Sequence, residues 1–281
     1  MEKKKTIISC AVTGGSTPKD KCPALPITPQ EIAEDVYRVW KAGASIVHLH
    51  MRDENAKATL DPARFEETVR LIRAHKDCDV IINCTSSSAN TGSNNAARME
   101  HFRRIPDIEI GSMDCGSFNY GCRYLFHNEP EFLVELAQCF QECDVLPEVE
   151  VFDTGMIGNM KHYMKQGLIK SPVWCQLVMN ILGGCDATVE NLLHLVRQLP
   201  EGALWSCTGI GSAHMPMMYA TLALGGHVRV GLEDNVYYEY GRLTTNTELV
   251  ERAVRVVHEF GNEVATPAEA RQMLGLKPLV R

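Results

Sequence analysis

The tripeptide His48-Leu49-His50 sets two imidazoles two residues apart, and on an extended strand that spacing points both rings to one side. Ile46 shares the face lower down, so an apolar run ends in two nitrogens that can serve one cation, a zinc-type ion being the natural guest. Core histidines satisfied by hydrogen bonds are the plainer reading; the position of the pair at a strand end favours the metal. Far along the chain Arg229, Gly231 and Glu233 alternate, with Asp234 next, in Gly231-Leu232-Glu233-Asp234-Asn235. Glu233 is the candidate third ligand, because two histidines and one carboxylate leave zinc an open coordination position for chemistry. Arg229 could fix a substrate carboxylate by a bidentate contact, or could form an internal ion pair with Glu233. On sequence alone both stand open.

Other strand ends are also polar. Glu148 and Glu150 in Pro147-Glu148-Val149-Glu150 share a face, where two carboxylates are costly unless paired or used; solvated or ion-paired glutamates would give the same pattern. Thr85 and Ser86 follow one apolar run, Ser112 and Asp114 close another, and Thr85, Ser86, Ser112 and Glu148 are candidates for holding a polar substrate.

These residues need a frame that gathers strand ends. β-branched runs alternate with amphipathic helical stretches along the chain. The strands are expected at Thr6–Val12, Ser45–Met51, Asp79–Cys84, Ile108–Met113, Pro147–Phe152, Val173–Met179, Ala203–Cys207 and His227–Leu232. Helices are expected at Pro29–Ala42, Pro62–His75, Asn95–Arg104, Glu129–Cys143, Gly155–Gln166, Val189–Gln198, Met215–Leu224 and Glu248–Phe260, and Thr266-Pro267-Ala268-Glu269 caps a short terminal one. Eight such units suggest a (β/α)8 TIM barrel, in which catalytic groups collect at the C-terminal ends of the strands. A doubly wound open sheet has a similar rhythm. No linker or repeat interrupts the series, so residues 1–281 are expected to form one barrel domain with a short C-terminal helical extension.

The 45% hydrophobic content suits an ordinary globular core, and the formal charge of −7 gives no general attraction to nucleic acid or to an anionic membrane. The apolar run at Thr6–Val12 is too short to span a bilayer. The eleven cysteines are scattered without Cys-x-x-Cys spacing, which suits buried, reduced thiols and a cytoplasmic protein. Gly14-Gly15, Gly183-Gly184 and Gly209-Ile210-Gly211 are glycine turns whose amides could meet a phosphate, but no complete dinucleotide fingerprint or Walker lysine is present.

Taken together, Thr13-Gly14-Gly15, Leu25-Pro26-Ile27-Thr28-Pro29, Ala42-Gly43-Ala44 before His48-Leu49-His50, Pro147-Glu148-Val149-Glu150 and Arg229-Val230-Gly231-Leu232-Glu233-Asp234-Asn235 resemble the β-keto acid cleavage enzymes in order and spacing. The resemblance extends over nearly the whole chain, through Ala265-Thr266-Pro267 and Glu269-Ala270-Arg271. It implies a zinc-dependent barrel, typically a homo-oligomer and often a tetramer. Such an enzyme condenses a β-keto acid with acetyl-CoA and cleaves the product by a retro-Claisen step to acetoacetate and a new acyl-CoA. Matched position by position, it implies zinc on His48, His50 and Glu233, substrate carboxylate and proton transfer handled by Arg229 and Asp234, and substrate contacts from Thr85 and Ser112. Where the family's amino-keto-acid enzyme carries an acidic residue after strand one, this chain has Ser16, a further candidate substrate contact without an ammonium-binding charge.

A metal-dependent hydrolase of the amidohydrolase type also uses a His-x-His strand. Against that reading, the pair here lies on the second strand, strand five has no lysine, and Trp174-Cys175-Gln176-Leu177-Val178 has no histidine. A catalytically silent barrel that binds metal or an acyl-CoA is a further alternative, which the intact Arg229, Glu233 and Asp234 set disfavours.

Overall fold

In the computed structural model, which describes residues 3–89 and 91–279, eight parallel strands close on themselves. They are β1 (Ile8–Ala11), β2 (Ile46–Leu49), β3 (Ile81–Cys84), β4 (Ile110–Asp114), β5 (Leu146–Val151), β6 (Trp174–Met179), β7 (Leu204–Gly209) and β8 (His227–Val230). Helices follow them as α1 (Pro29–Ala42), α2 (Pro62–Ala74), α3 (Glu100–Arg104), α4 (Pro130–Cys143), α5 (Thr154–Lys165), α6 (Val189–Gln198), α7 (His214–Ala223), α8 (Asn246–Glu259) and α9 (Pro267–Leu274). Each strand pairs with the next, and β8 pairs with β1, Arg229 opposite Ser9. That last pairing excludes the open sheet, and the fold is the expected TIM barrel.

Local sequence sets most of the frame. Thr28 accepts the Glu31 amide at 3.2 Å while Glu31 accepts the Thr28 amide at 2.9 Å, and the same reciprocal cap opens α8 with Thr245 and Glu248 and α9 with Thr266 and Glu269. One helix departs from expectation. Residues 95–99 form turns rather than the start of α3, with the Ala97 amide capped by Asn94 Oδ1 at 3.0 Å. The Arg98 side chain turns inward from there to the Ser86 carbonyl at 2.6 Å and the Asn128 side chain at 2.6 Å.

The barrel interior is divided by polarity. At the N-terminal end Ile7, Ile46, Ile81, Ile110 and Trp174 pack with Ala265, Ala270 and Leu274, so the terminal helix seals the bottom with apolar surface. Two residues further along the strands the inward positions become His48, Asn83, Ser112, Glu148, Gln176, Ser206 and Arg229, all buried. Three hairpins absent from the sequence expectation rise beyond the other end: 51–52 with 58–59, 118–120 with 124–126, and 237–239 with 242–243. Eight of the eleven cysteines are buried, and none is paired. Among the described residues no helix is long and apolar enough to cross a membrane.

Arg271 clasps α9 to the barrel. Its Nε and Nη2 donate to the two Glu109 oxygens at 2.6 and 2.9 Å, and Nη1 donates to the Asp79 carbonyl at 2.7 Å. Without Arg271, Glu109 keeps its contact with Arg73 Nη2 at 3.0 Å, and the lost charge-assisted contacts to α9 cost roughly 2 kcal/mol. Arg271→Ala is therefore expected to lower Tm by about 6 °C in scanning calorimetry; an unchanged Tm would mean that the clasp does not hold the barrel floor.

Candidate metal centre and active site

β2 carries His48 inward at its last turn toward the cavity, and His50 stands just beyond the strand, the two rings 5.1 Å apart and edge to face. Glu233 arrives by a different route from that expected. β8 stops at Val230, and the chain turns at Gly231, where the Asp234 and Asn235 amides donate back to the Gly231 carbonyl at 3.1 and 3.0 Å. The turn, rather than strand alternation, delivers Glu233 to the histidines: His50 Nε2 lies 3.4 Å and His48 Nε2 3.9 Å from its carboxylate.

Two glycines make that approach possible. Gly231 has φ of 138°, and a Cβ there would meet the Ala11 carbonyl at 2.1 Å; a Cβ on Gly14 would meet Glu233 Cγ at 2.6 Å. Asn246, the first residue of α8, pins the turn from outside. It accepts the Leu232 amide at 2.8 Å and donates to the Val12 carbonyl at 2.8 Å.

Arg229 organises the acids. Nε donates to Asp234 Oδ2 at 2.9 Å, Nη2 to Asp234 Oδ1 at 3.1 Å and to Glu233 at 3.0 Å, and Nη1 to Glu150 at 3.2 Å. Four of its N–H groups thus serve the chain's own carboxylates, so the guanidinium is an internal hub and offers no free fork. Thr208 donates to Asp234 Oδ2 at 3.0 Å. Burial raises the Asp234 carboxyl above its ordinary range despite the pull of Arg229, and the Glu233 charge adds to the rise. Burial likewise works against ionised Glu233, but His50 and Arg229 outweigh it and hold that carboxyl well below the usual range. Burial brings His48 down to about 3, so its ring is neutral and able to ligate.

Ligating atoms of His48, His50 and Glu233 lie within 4.8 Å of one another. Glu233 Oε2 is also buried with no hydrogen-bond partner among the described residues, as expected of a group built to meet a cation. His48, Glu148 and Glu150 form a second set as close. There, however, the Glu148 oxygens already accept from Asn83 Nδ2 and Trp174 Nε1, each at 2.7 Å. The first set is therefore the better metal site.

The cavity above this centre encloses about 100 Å³ and is lined by Ser16, Thr85 and Ser112 together with His48, His50, Arg229, Glu233 and Asp234. Ser112 Oγ accepts the Ser86 amide at 3.1 Å, which leaves its own proton to donate to a guest. Ser86 and Glu148, expected to touch substrate, are not among the lining residues. Ser86 is turned into the wall and Glu148 lies beneath the floor on Asn83 and Trp174.

Asn83, Thr208 and the aromatic hairpin whose Tyr120, Tyr124 and Phe126 line the cavity with Phe152 lie outside the candidates drawn from sequence. A polar residue inside Ile81-Ile82-Asn83-Cys84 was a usable sign. So was Asn119-Tyr120-Gly121-Cys122, whose Gly121 and Cys122 take φ of 61° and 52°, the twist that favours a tight hairpin.

The profile of the family described as beta-keto acid cleavage enzyme matches residues 5–276. The chain is 39% identical to a 3-keto-5-aminohexanoate cleavage enzyme of Fusobacterium nucleatum, over 97% of this chain and 98% of that protein. It is 35% identical to a 3-dehydrocarnitine:acetyl-CoA trimethylamine transferase of Rhizobium meliloti, over 97% of each. Among solved structures, a ternary complex of ObcA with a C4-CoA adduct and oxalate aligns with a TM-score of 0.82 at 21% identity, covering 90% of this chain and 68% of that one; at that identity the likeness speaks to fold.

Gly231→Ala must displace the 231–234 turn, because its Cβ would fall 2.1 Å from the Ala11 carbonyl. Divalent-metal affinity, read by competition with a chelating dye, is expected to fall roughly 10–100-fold, the loss typical of disturbed ligand support. Unchanged affinity would show that Glu233 is not a ligand.

Proposed function

The chain belongs to the beta-keto acid cleavage enzyme family, and on that footing we propose that it condenses a β-keto acid with acetyl-CoA, then cleaves the adduct to acetoacetate and a new acyl-CoA. The observation that carries this reading is Asp234, a buried carboxylate of raised basicity facing the cavity beside His48, His50 and Glu233. Zinc is the metal best suited to two imidazoles and one carboxylate with an open position. When bound, it would polarise the β-carbonyl and stabilise negative charge there.

Asp234 removes the proton between carboxylate and ketone, and Arg229 holds both its oxygens so that the base keeps one orientation. The carbon so freed attacks the acetyl thioester carbon; a C–C bond forms, the C–S bond breaks and CoA thiolate departs. The thiolate adds to the original β-carbonyl. The old C–C bond then breaks, and the carbon that leaves recovers the proton from Asp234, giving acetoacetate and the new thioester. Ser16, Thr85 and Ser112 supply hydroxyls for the keto acid. Glu150 and Glu233 fix the far side of Arg229, which acts chiefly by positioning Asp234. The variable acyl part of the substrate meets the aromatic wall of Tyr120, Tyr124 and Phe126.

Eleven unpaired cysteines support a reducing, cytoplasmic setting. The apolar Leu125, Leu182 and Val189, exposed at 48%, 64% and 58%, support assembly as a homo-oligomer, for which the family resemblance suggests a tetramer.

A panel of β-keto acids incubated with acetyl-CoA and read by mass spectrometry is expected to yield acetoacetate and a matching CoA ester. Turnover without acetyl-CoA would instead indicate a hydrolase. Asp234→Asn is expected to lower kcat by about 10²–10⁴-fold with metal content intact, and full turnover in that variant would remove Asp234 from the base role.

A further inference from the structure

A second cleft, of about 920 Å³, lies beside the catalytic cavity. Ile210 lines the cavity and Gly211 the cleft; Asp234 lines the cavity and Asn235 the cleft. The two spaces therefore share a rim, which the Gly211 amide ties together by donating to the Asp234 carbonyl at 2.9 Å. The cleft is far larger than the space over the metal ligands, and within the range that holds a drug-sized or larger ligand.

Its chemistry is specific. One face of α8 enters it through Arg252, Arg255, Val256 and Glu259, spaced at helical intervals. The Arg252 guanidinium lies 3.2 Å from the Tyr238 ring centre and donates to the Tyr238 carbonyl at 2.7 Å, while Arg255 donates to the Tyr238 hydroxyl at 2.9 Å. Neither arginine forms an ion pair among the described residues, whereas Arg73, Arg229 and Arg271 in the barrel each hold a carboxylate. His214 adds no charge there, because Nδ1 faces the Gly211 carbonyl at 3.1 Å and Nε2 faces Arg252 at 3.2 Å. Tyr219, Tyr237 and Tyr240 also line the cleft, exposed at 43%, 48% and 106%, aromatic faces on which a purine can stack.

We propose that this cleft is the binding site for the nucleotide end of the acyl-CoA, with Arg252 and Arg255 on its phosphates and the tyrosines against its adenine. The proposal rests on the acyl-CoA-dependent reaction inferred above. The uncharged pantetheine arm crosses the rim between Gly211 and Asn235 and brings the thioester to Asp234. Two guanidiniums without carboxylate partners suit phosphate oxygens, which Arg engages through paired N–H groups. Glu239 and Glu259 also line the cleft. Glu259 stands one helical turn beyond Arg255, so the phosphates belong on the Arg252 side, and the acid is left for the adenine amino group.

Titration calorimetry of the metal-loaded full chain with CoA, and separately with adenosine 3′,5′-bisphosphate, tests the site without requiring turnover. Arg255 is exposed, so Arg255→Ala should fold normally. It is expected to weaken both ligands by at least about tenfold, the loss of a charge-assisted contact, and Arg255→Glu by more. Equal affinities in wild type and variants, or no CoA binding by the wild type, would overturn the assignment. So would a drop in oligomeric state with CoA affinity unchanged, because the aromatic cleft would then be a contact between copies. CoA binding without any acetyl-CoA-dependent turnover would refute the proposed reaction and leave the site standing.

Discussion

A guanidinium buried inside a barrel must be surrounded by negative charge, and the upper half of this molecule is organised around that requirement. Arg229 projects from β8 into an interior where isolated charges are expensive to desolvate. Glu150 from β5, and Glu233 and Asp234 from the turn after β8, answer it with four hydrogen bonds. The same contacts fix Asp234 in one orientation at the cavity edge and draw Glu233 toward His48 and His50. The positive hub thus does for the acids what a bound cation would do for the histidines.

Around that hub the barrel divides its labour along its axis. Apolar Ile46, Ile81, Ile110 and Trp174 close the floor under α9. Two residues on, the same strands supply His48, Asn83, Ser112 and Gln176. Glu148 sits between these regions and accepts hydrogen bonds from Asn83 and Trp174, while burial raises its carboxyl above the ordinary range. A polar interior is stable only because most such groups have a partner, and among those without one Glu233 Oε2 lies at the candidate metal centre.

Much of this was legible before folding. Helical caps at Thr28 and Thr266 are reciprocal contacts within four residues, and period-two patterns in the strands follow from the geometry of an extended chain. The His48 and His50 pair needed only that periodicity. Glu233 is reached otherwise than strand alternation predicts, since the strand ends at Val230 and a turn at Gly231 carries the side chain inward. Residues 95–99 form turns despite a local helical pattern, because that pattern competes with the inward reach of Arg98 to Ser86 and Asn128.

The sequence by itself determined the alternation of strand and helix, the caps that start the helices, and the identity of the groups able to bind a metal or move a proton, because each depends on neighbours a few residues away. Only the tertiary structure decided that Arg229 is an internal hub and that Ser86 and Glu148 lie off the cavity. It alone also placed the Phe118–Phe126 hairpin over the active site and opened a cleft between α7, α8 and the 237–243 hairpin. Those outcomes depend on which side chains meet across the closed barrel, where residues more than two hundred positions apart, such as Ala11 and Gly231, come within van der Waals contact.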